Sequence, residues 1–282
     1  MKIAICVMGS RGDVQPLVAL GKGLQAEGHA VILATHQEFQ PMVRQAGLWF
    51  HLLRGLDPKA SMEKFTGEKP KSGLKESQFV QSIRMTKLLQ AAIPEIGESC
   101  LEACSGADCC ISNLIPPAVA SSVAEKMGIP HMYALLQPIE PTGEFPHMLV
   151  THRSFGPRVN ALSYACVSYG LWGMVRSHVN RWRRSLSLPA LSWRYFPEVF
   201  SGPMPRLYGF SPSVVPKPGE WSDQAAVTGY WFLNQTAGWS PPKPLVDFLE
   251  AGPPPIAIGF GSMVVSSADN ITELCIEALS KA

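Results

Sequence analysis

The first fifty residues alternate short apolar runs with amphipathic stretches, and few folds accommodate that rhythm. The run "KIAICVM" (2–8) is apolar on both faces, as a strand buried on both sides of a parallel sheet must be. A glycine turn follows. From Val14 the apolar positions Val14, Leu17, Val18, Gly21 and Leu24 recur at helical spacing, with Pro16 in the expected first turn and Gly28 as the stop. "AVILAT" (30–35) reads as a second strand, "QEFQPMVRQA" (37–46) as a helix and "LWFHLL" as a third strand. Units of this spacing imply an α/β fold: a parallel sheet with right-handed crossovers and helices on both faces.

Residues 57–76, rich in Lys, Gly, Ser and Pro, interrupt the rhythm and read as a mobile loop. It resumes with a helix over about 77–103, a strand at 108–113, a helix at 117–128, a strand at 129–135 and a long helix over about 156–186. Between the last two lies a proline-rich, ordered-looking loop, 137–149. Farther on, "WSPPKPLVDFLEAGPPP" reads as a surface linker, followed by one strand, "PIAIGFGSMVV", and a helix starting near Ser267 or Asp269. A single strand–helix pair cannot bury its own sheet, so the sequence is expected to be truncated inside a second unit.

Composition narrows the function. Hydrophobic residues make up 46% and charged ones 16%, which suits a well-packed globular chain, and a net charge of +2 argues against a nucleic-acid partner. The apolar start is too short for a secretory leader, and the longest uncharged window, 159–175, is too short and too polar for a spanning helix. A cytoplasmic protein is expected. The tail of the long helix, Arg176 to Arg184, is basic with Trp182 inside it. It reads either as a solvated helix end or as a peripheral membrane contact. The seven cysteines lack repeated CxxC spacing. In "CLEACSGADCC", Cys109 and Cys110 would point to opposite faces of a strand, so reduced, buried thiols and no metal are expected.

Two glycine turns sit where α/β sheets bind ligands, beyond the carboxyl ends of strands. The first is "GSRGD" (9–13). Its Arg-Gly-Asp tripeptide is not on an exposed loop tip, and its glycine spacing satisfies neither the dinucleotide fingerprint nor the phosphate loop. Asp13, just before Val14, fits as a helix cap. The second is "IGFGSM" (258–263), either a tight turn or a phosphate contact through Gly261 and Ser262.

Several stretches together carry a resemblance: residues 9–39, "YGFSPSVVPKPGEW" (208–221), "VTGYWFL" (227–233) and "FLEAGPPPIAIGFGSM" (248–263). In register over nearly the whole chain, they resemble GT-B glycosyltransferases of the sterol glucosyltransferase type, and the opening motif is shared with antibiotic glycosyltransferases. The resemblance implies a Rossmann-like acceptor domain over 1–234, a linker over 235–255 and the start of a nucleotide-sugar domain at 256–282. It also implies that the donor domain's His-Gly-Gly stretch and acidic-Gln pair are missing, so that the 282 residues alone would be inactive.

The implied reaction is inverting, metal-independent transfer of a hexose, glucose above all, from a UDP-sugar to a lipophilic alcohol such as a sterol, with no cofactor besides that co-substrate. By the same resemblance Asp13 is the base for the acceptor hydroxyl, with His147 and His36 as alternatives. Ser10, Arg11, Gly12, Gly261 and Ser262 would meet the diphosphate, and Asn113, Ile115, Pro116, Gln137, Ile139, Phe145 and His147 would line the acceptor pocket. Because a helix N-terminus favours an ionised carboxylate, such a base must accept its proton late, in a closed, dry cleft. Two rival readings stay open: a transferase acting on macrolide or glycopeptide natural products, and a non-catalytic acceptor-binding module needing a separate donor domain.

Overall fold

The computed structural model describes residues 1–55, 78–116, 118–151, 153–200, 202–234, 240–259 and 268–281. The chain divides into two compact units, Met1–Asn234 and Gln235–Ala282.

In the first unit seven parallel strands form one sheet: β1 (Lys2–Cys6), β2 (Ala30–Thr35), β3 (Trp49–Leu52), β4 (Cys109–Ser112), β5 (His131–Leu135), β6 (Arg206–Tyr208) and β7 (Ala225–Val227). Their order is β3-β2-β1-β4-β5-β6-β7, and every neighbouring pair is parallel. The chain therefore winds outward from β1 to one edge, then returns beside β1 with β4 and winds to the other. That reversal between β1 and β4 opens a crevice at the carboxyl ends of the two strands.

The helices of this unit are α1 (Arg11–Ala26), α2 (Gln40–Gln45), α3 (Gln78–Ala103), α4 (Val119–Met127), α5 (Pro157–Ser185) and α6 (Tyr195–Val199). Burial on both faces of β1 follows its alternation. Ile3, Ile5 and Val7 pack with Val14, Leu17 and Val18 of α1, whereas Ala4 and Cys6 face Ile93, Ile96 and Cys100 of α3. Each such aliphatic side chain taken fully out of water contributes roughly 1.5–3 kcal/mol. The sheet is thus covered on both sides, as the double apolarity of "KIAICVM" requires.

The structure departs from the sequence reading in particular places. α1 begins at Arg11 rather than Val14, because Ser10 and not Asp13 is its N-cap. Pro16 consequently lies past the first turn, where its ring nitrogen leaves the Gly12 carbonyl without its usual i+4 donor. The proline-dense stretch after 200 hides β6 and β7, each only three residues long and too short to show alternation. Residues 57–76, expected as a loop, lie outside the described residues.

The second unit carries two helices among its described residues, α7 (Lys243–Glu250) and α8 (Ala268–Ser280). α7 falls inside the expected linker. The described part of the expected strand, residues 255–259, belongs to no sheet, and Ile256 and Ile258 are exposed. Among the described residues no helix is long and apolar enough to cross a membrane.

Candidate active site

The crevice between β1 and β4 is built by two reciprocal locks. In the first, the Ser10 backbone N–H and hydroxyl both donate to Oδ2 of Asp13, at 2.7 and 3.0 Å, while the Ser10 carbonyl accepts the Asp13 N–H at 3.0 Å. Asp13 is the third residue of α1, so its carboxylate reaches back over the helix N-terminus in a capping box. Among the described residues Oδ1 has no protein partner, and Asp13 is half-buried. Gly9 makes this arrangement possible. Its φ is +140°, and a Cβ there would sit 2.7 Å from Asp13 Cγ.

In the second lock, the Asn113 side chain bridges the two strand ends. Its Nδ2 donates to the Met8 carbonyl at 2.7 Å, and its Oδ1 accepts the Met8 N–H at 3.2 Å. An amide side chain thereby extends the ladder one step past the point where the β1 and β4 backbones part.

Asp13, Asn113, Gln137 and Ile139 line a single cavity of about 70 Å³, with Leu114, Leu135 and Leu136 as its other walls. Four residues assigned by sequence thus converge on one site. Three apolar residues of the wall were not foreseen, although their positions at the ends of β4 and β5 could have marked them.

The other assigned residues are distributed differently. Ile115 is 2% exposed and packs in the core rather than facing the cavity, and Pro116 is likewise buried. Phe145 is half-buried outside the cavity. His147 is buried against Tyr164, edge to face with ring centroids 5.0 Å apart, and burial holds its pKa below the ordinary value. Its Nδ1 accepts the Leu149 N–H at 3.2 Å, which places the ring proton of the neutral form on Nε2. His36 follows β2, buried at the same edge of the sheet, and opens a short 3₁₀ turn, Gln37–Phe39. Arg11 is exposed, and its Nε donates to Gln15 along the helix. Gly12 is exposed, and space is open beside it apart from Ser10 Oγ at 3.6 Å. Gly261 and Ser262 lie outside the described residues.

A buried ion pair holds the loop that supplies Gln137 and Ile139, and it went unnoticed in the sequence. Arg206, fully buried on β6, donates from Nε and Nη2 to the two oxygens of Glu140, at 2.6 and 3.3 Å. Tyr208 adds a third bond to Glu140, at 3.0 Å, and burial together with the Glu140 charge pushes the phenol pKa well up. The remaining guanidinium protons reach the Met204 and Gly202 carbonyls and the Ser222 hydroxyl.

The basic tail of α5 does not present the face expected for a membrane contact. Trp182 is buried above Gly97 of α3, where a Cβ would meet the indole ring. Arg183 is 1% exposed, and it donates to Ser122 and pairs with Glu125 at 2.8 Å. Arg176 stacks on Trp193 at 4.9 Å. Arg181 and Arg184 remain exposed, without the aromatic anchor.

A doubly wound parallel sheet, with a helix N-terminus carrying a folded-back carboxylate at its reversal point, is the Rossmann-like architecture of GT-B glycosyltransferases. The chain belongs to the family described as the glycosyltransferase family 28 N-terminal domain, which matches residues 3–145. It is 39% identical over its whole length to sterol 3-beta-glucosyltransferase UGT80A2 of Arabidopsis thaliana, spanning 44% of that protein. It is also 35% identical over its whole length to the sterol 3-beta-glucosyltransferase of Emericella nidulans, spanning 20% of it. The chain thus covers less than half of either relative. Among solved structures, the calicheamicin glycosyltransferase CalG4 shares the fold with a TM-score of 0.56 at 16% identity, over 86% of this chain and 55% of that one. The glycotransferase of kitacinnamycin gives 0.53 at 15%, with the same two coverages.

Proposed function

We propose that the full-length protein transfers glucose from a UDP-sugar to the hydroxyl of a lipophilic alcohol of the sterol class, with inversion and without a metal at the reacting centre. The observation that carries this reading is the placement of Asp13. Its carboxylate is fixed through Oδ2 and bare at Oδ1, and it borders a cavity at the reversal of the sheet where four apolar side chains stand beside Asn113 and Gln137. The two relatives named as sterol 3-beta-glucosyltransferases support the acceptor and the sugar.

In the proposed mechanism Asp13 Oδ1 takes the proton of the acceptor hydroxyl as its oxygen attacks the anomeric carbon, and the bond from that carbon to the diphosphate breaks. Positioning and general-base catalysis are the parts this unit supplies. Arg11 and Gly12 open α1 with N–H groups that have no intrahelical acceptor, and the open space at Gly12 lets an anion approach them. His147 is the weaker base, since its Nδ1 lone pair is already engaged. The 70 Å³ cavity is far smaller than the roughly 300–1,000 Å³ of pockets for drug-sized ligands, so a sterol enters only as the wall around Leu114 and Leu136 moves outward.

The test is Asp13→Asn in the full-length protein, assayed with UDP-glucose and a panel of sterol and macrolide acceptors. Asparagine keeps an oxygen for the Ser10 donors but cannot accept the proton, so turnover should fall by about 10²–10⁴-fold with acceptor binding retained. Unchanged turnover removes Asp13 from the chemistry. Activity confined to macrolides overturns the acceptor class.

A further inference from the structure

Outside the crevice, the described residues contain one concentration of soft ligand atoms. Cys6 at the end of β1, Cys104 immediately after α3 and Cys110 in β4 place their three Sγ atoms within 4.8 Å of one another. All three are fully buried and reduced. Cys100, four residues before Cys104 at the end of the same helix, interacts with the Cys6 thiol and is also buried. The sequence cluster Cys100, Cys104, Cys109 and Cys110 is thus split by the strand alternation. Cys109 goes to the opposite face, and Cys6, nearly a hundred residues away in sequence, takes its place.

From this geometry we infer that Cys6, Cys104 and Cys110 form a structural site for a thiophilic d¹⁰ cation, Zn²⁺, with Cys100, which contacts Cys6 but lies outside that set of three sulfurs, as the candidate fourth ligand. Zinc–thiolate bonds of about 2.3 Å put tetrahedral sulfur atoms about 3.8 Å apart, so the thiols need to close by at most about 1 Å. That closure is within the reach of χ1 adjustments, because the three residues approach from three separate segments. Ligation converts each thiol to thiolate and releases its proton to solvent, and the cation offsets two of the buried negative charges, leaving the site net −1 with three thiolates or −2 with four. Nothing in the site touches the proposed reacting centre. The cation instead clips β1 to β4 below the point where they part, seven residues before Asp13 on one chain segment and three before Asn113 on the other. It would therefore hold the crevice by fixing the strands that frame it.

The test measures metal in the full-length protein, purified reduced and without chelators. Stoichiometric zinc is expected by elemental analysis. Replacement by Co²⁺ should give the visible bands of tetrahedral thiolate-bound cobalt, and zinc addition to the chelated protein should raise its melting temperature. Cys104→Ala should weaken zinc binding by more than the roughly 10–100-fold that follows loss of an outer-shell partner. The exposed Cys166→Ser serves as the control and should leave metal content unchanged. Folded, reduced wild-type protein that takes up neither zinc nor cobalt overturns the site, whether or not the Cys104 variant folds. A disulfide among these cysteines in the native protein overturns it too.

Discussion

Gly9 and Asp13 compete for the same space: a Cβ on Gly9 would lie 2.7 Å from Asp13 Cγ and 2.8 Å from its Cβ. The glycine's positive φ would strain any other residue, and the Asp13 carboxylate, folded back onto Ser10, occupies the hemisphere a side chain would need. Gly9→Ala should therefore cost about 1–3 kcal/mol in urea denaturation. Part of the steric share should return in Gly9→Ala/Asp13→Ala, which removes the contact with the carboxylate but keeps the 2.8 Å contact with the residue-13 Cβ and the dihedral strain. A double-mutant cycle without coupling between the two positions would show that the turn relaxes independently of the carboxylate.

Asn113 makes the only step of the ladder supplied by a side chain at the crevice, among the described residues. Asn113→Leu keeps the volume but strands the Met8 N–H and carbonyl at a half-buried position. We expect a loss of about 1–3 kcal/mol in stability. Hydrogen exchange should show faster exchange of the Met8 amide, with the β1 core amides protected as before. In the full-length protein the same variant should raise KM for the acceptor more than it lowers kcat, because it loosens a wall and leaves the proposed base in place.

The frame of this site was legible from residues 2–52 because strands buried on both faces and helices with one apolar stripe leave different periodic traces. Asp13, Asn113, Gln137 and Ile139 could be placed for the same reason, since each follows a strand that the pattern marks. What failed to show depended on side-chain contacts that periodicity does not record, several of them between distant residues. Ser10 rather than Asp13 caps α1, a choice decided by how the carboxylate folds back over Gly9. Ile115 and Pro116 follow a strand just as Asn113 does, but the chain turns them inward to the core, and periodicity ends where the strand ends. The Glu140–Arg206 pair spans 66 residues, and β6 and β7 are recognisable only through the neighbours they pair with. Trp182 and Arg183 looked like surface residues because a basic run is usually solvated. Gly97 and Glu125 draw them inside.

Glu140 and Arg206 test whether the crevice wall depends on a distant anchor. Both are buried, and the pair is fully hydrogen-bonded. Glu140→Ala leaves a guanidinium buried without its carboxylate and removes the acceptor of the Tyr208 hydroxyl. It should cost about 3–5 kcal/mol, seen as a lowered urea midpoint. Replacing both partners, as in Glu140→Leu/Arg206→Met, should recover a large part of that loss, because the pair's Coulomb gain mostly offsets its own desolvation. If the double variant is less stable than the sum of the singles, the backbone carbonyls bonded to Arg206 matter more than the ion pair.

His131 at the start of β5 should give the fold an acid-sensitive step. Its Nε2 is 2.9 Å from the Ser112 hydroxyl and its Nδ1 is 3.3 Å from Met204 Sδ, and burial lowers its pKa from 6.5 to about 4. Neither contact favours the imidazolium, since a thioether is a weak acceptor and the hydroxyl serves the neutral ring equally well. The folded state therefore keeps the ring neutral down to about pH 4, whereas the unfolded chain protonates it near pH 6.5. Between those values the unfolded state binds more protons, so stability must fall as the pH drops through this window, by up to about 3 kcal/mol. Above pH 6.5 both states are neutral at this position, and the term is flat. Urea denaturation of wild type and His131→Gln across the window isolates the effect from the carboxylates, which titrate alike in both proteins. The glutamine variant should start lower at neutral pH through imperfect packing, yet lose less on acidification. Parallel pH curves for the two proteins would mean that a rearrangement near β5 lets water reach the protonated ring.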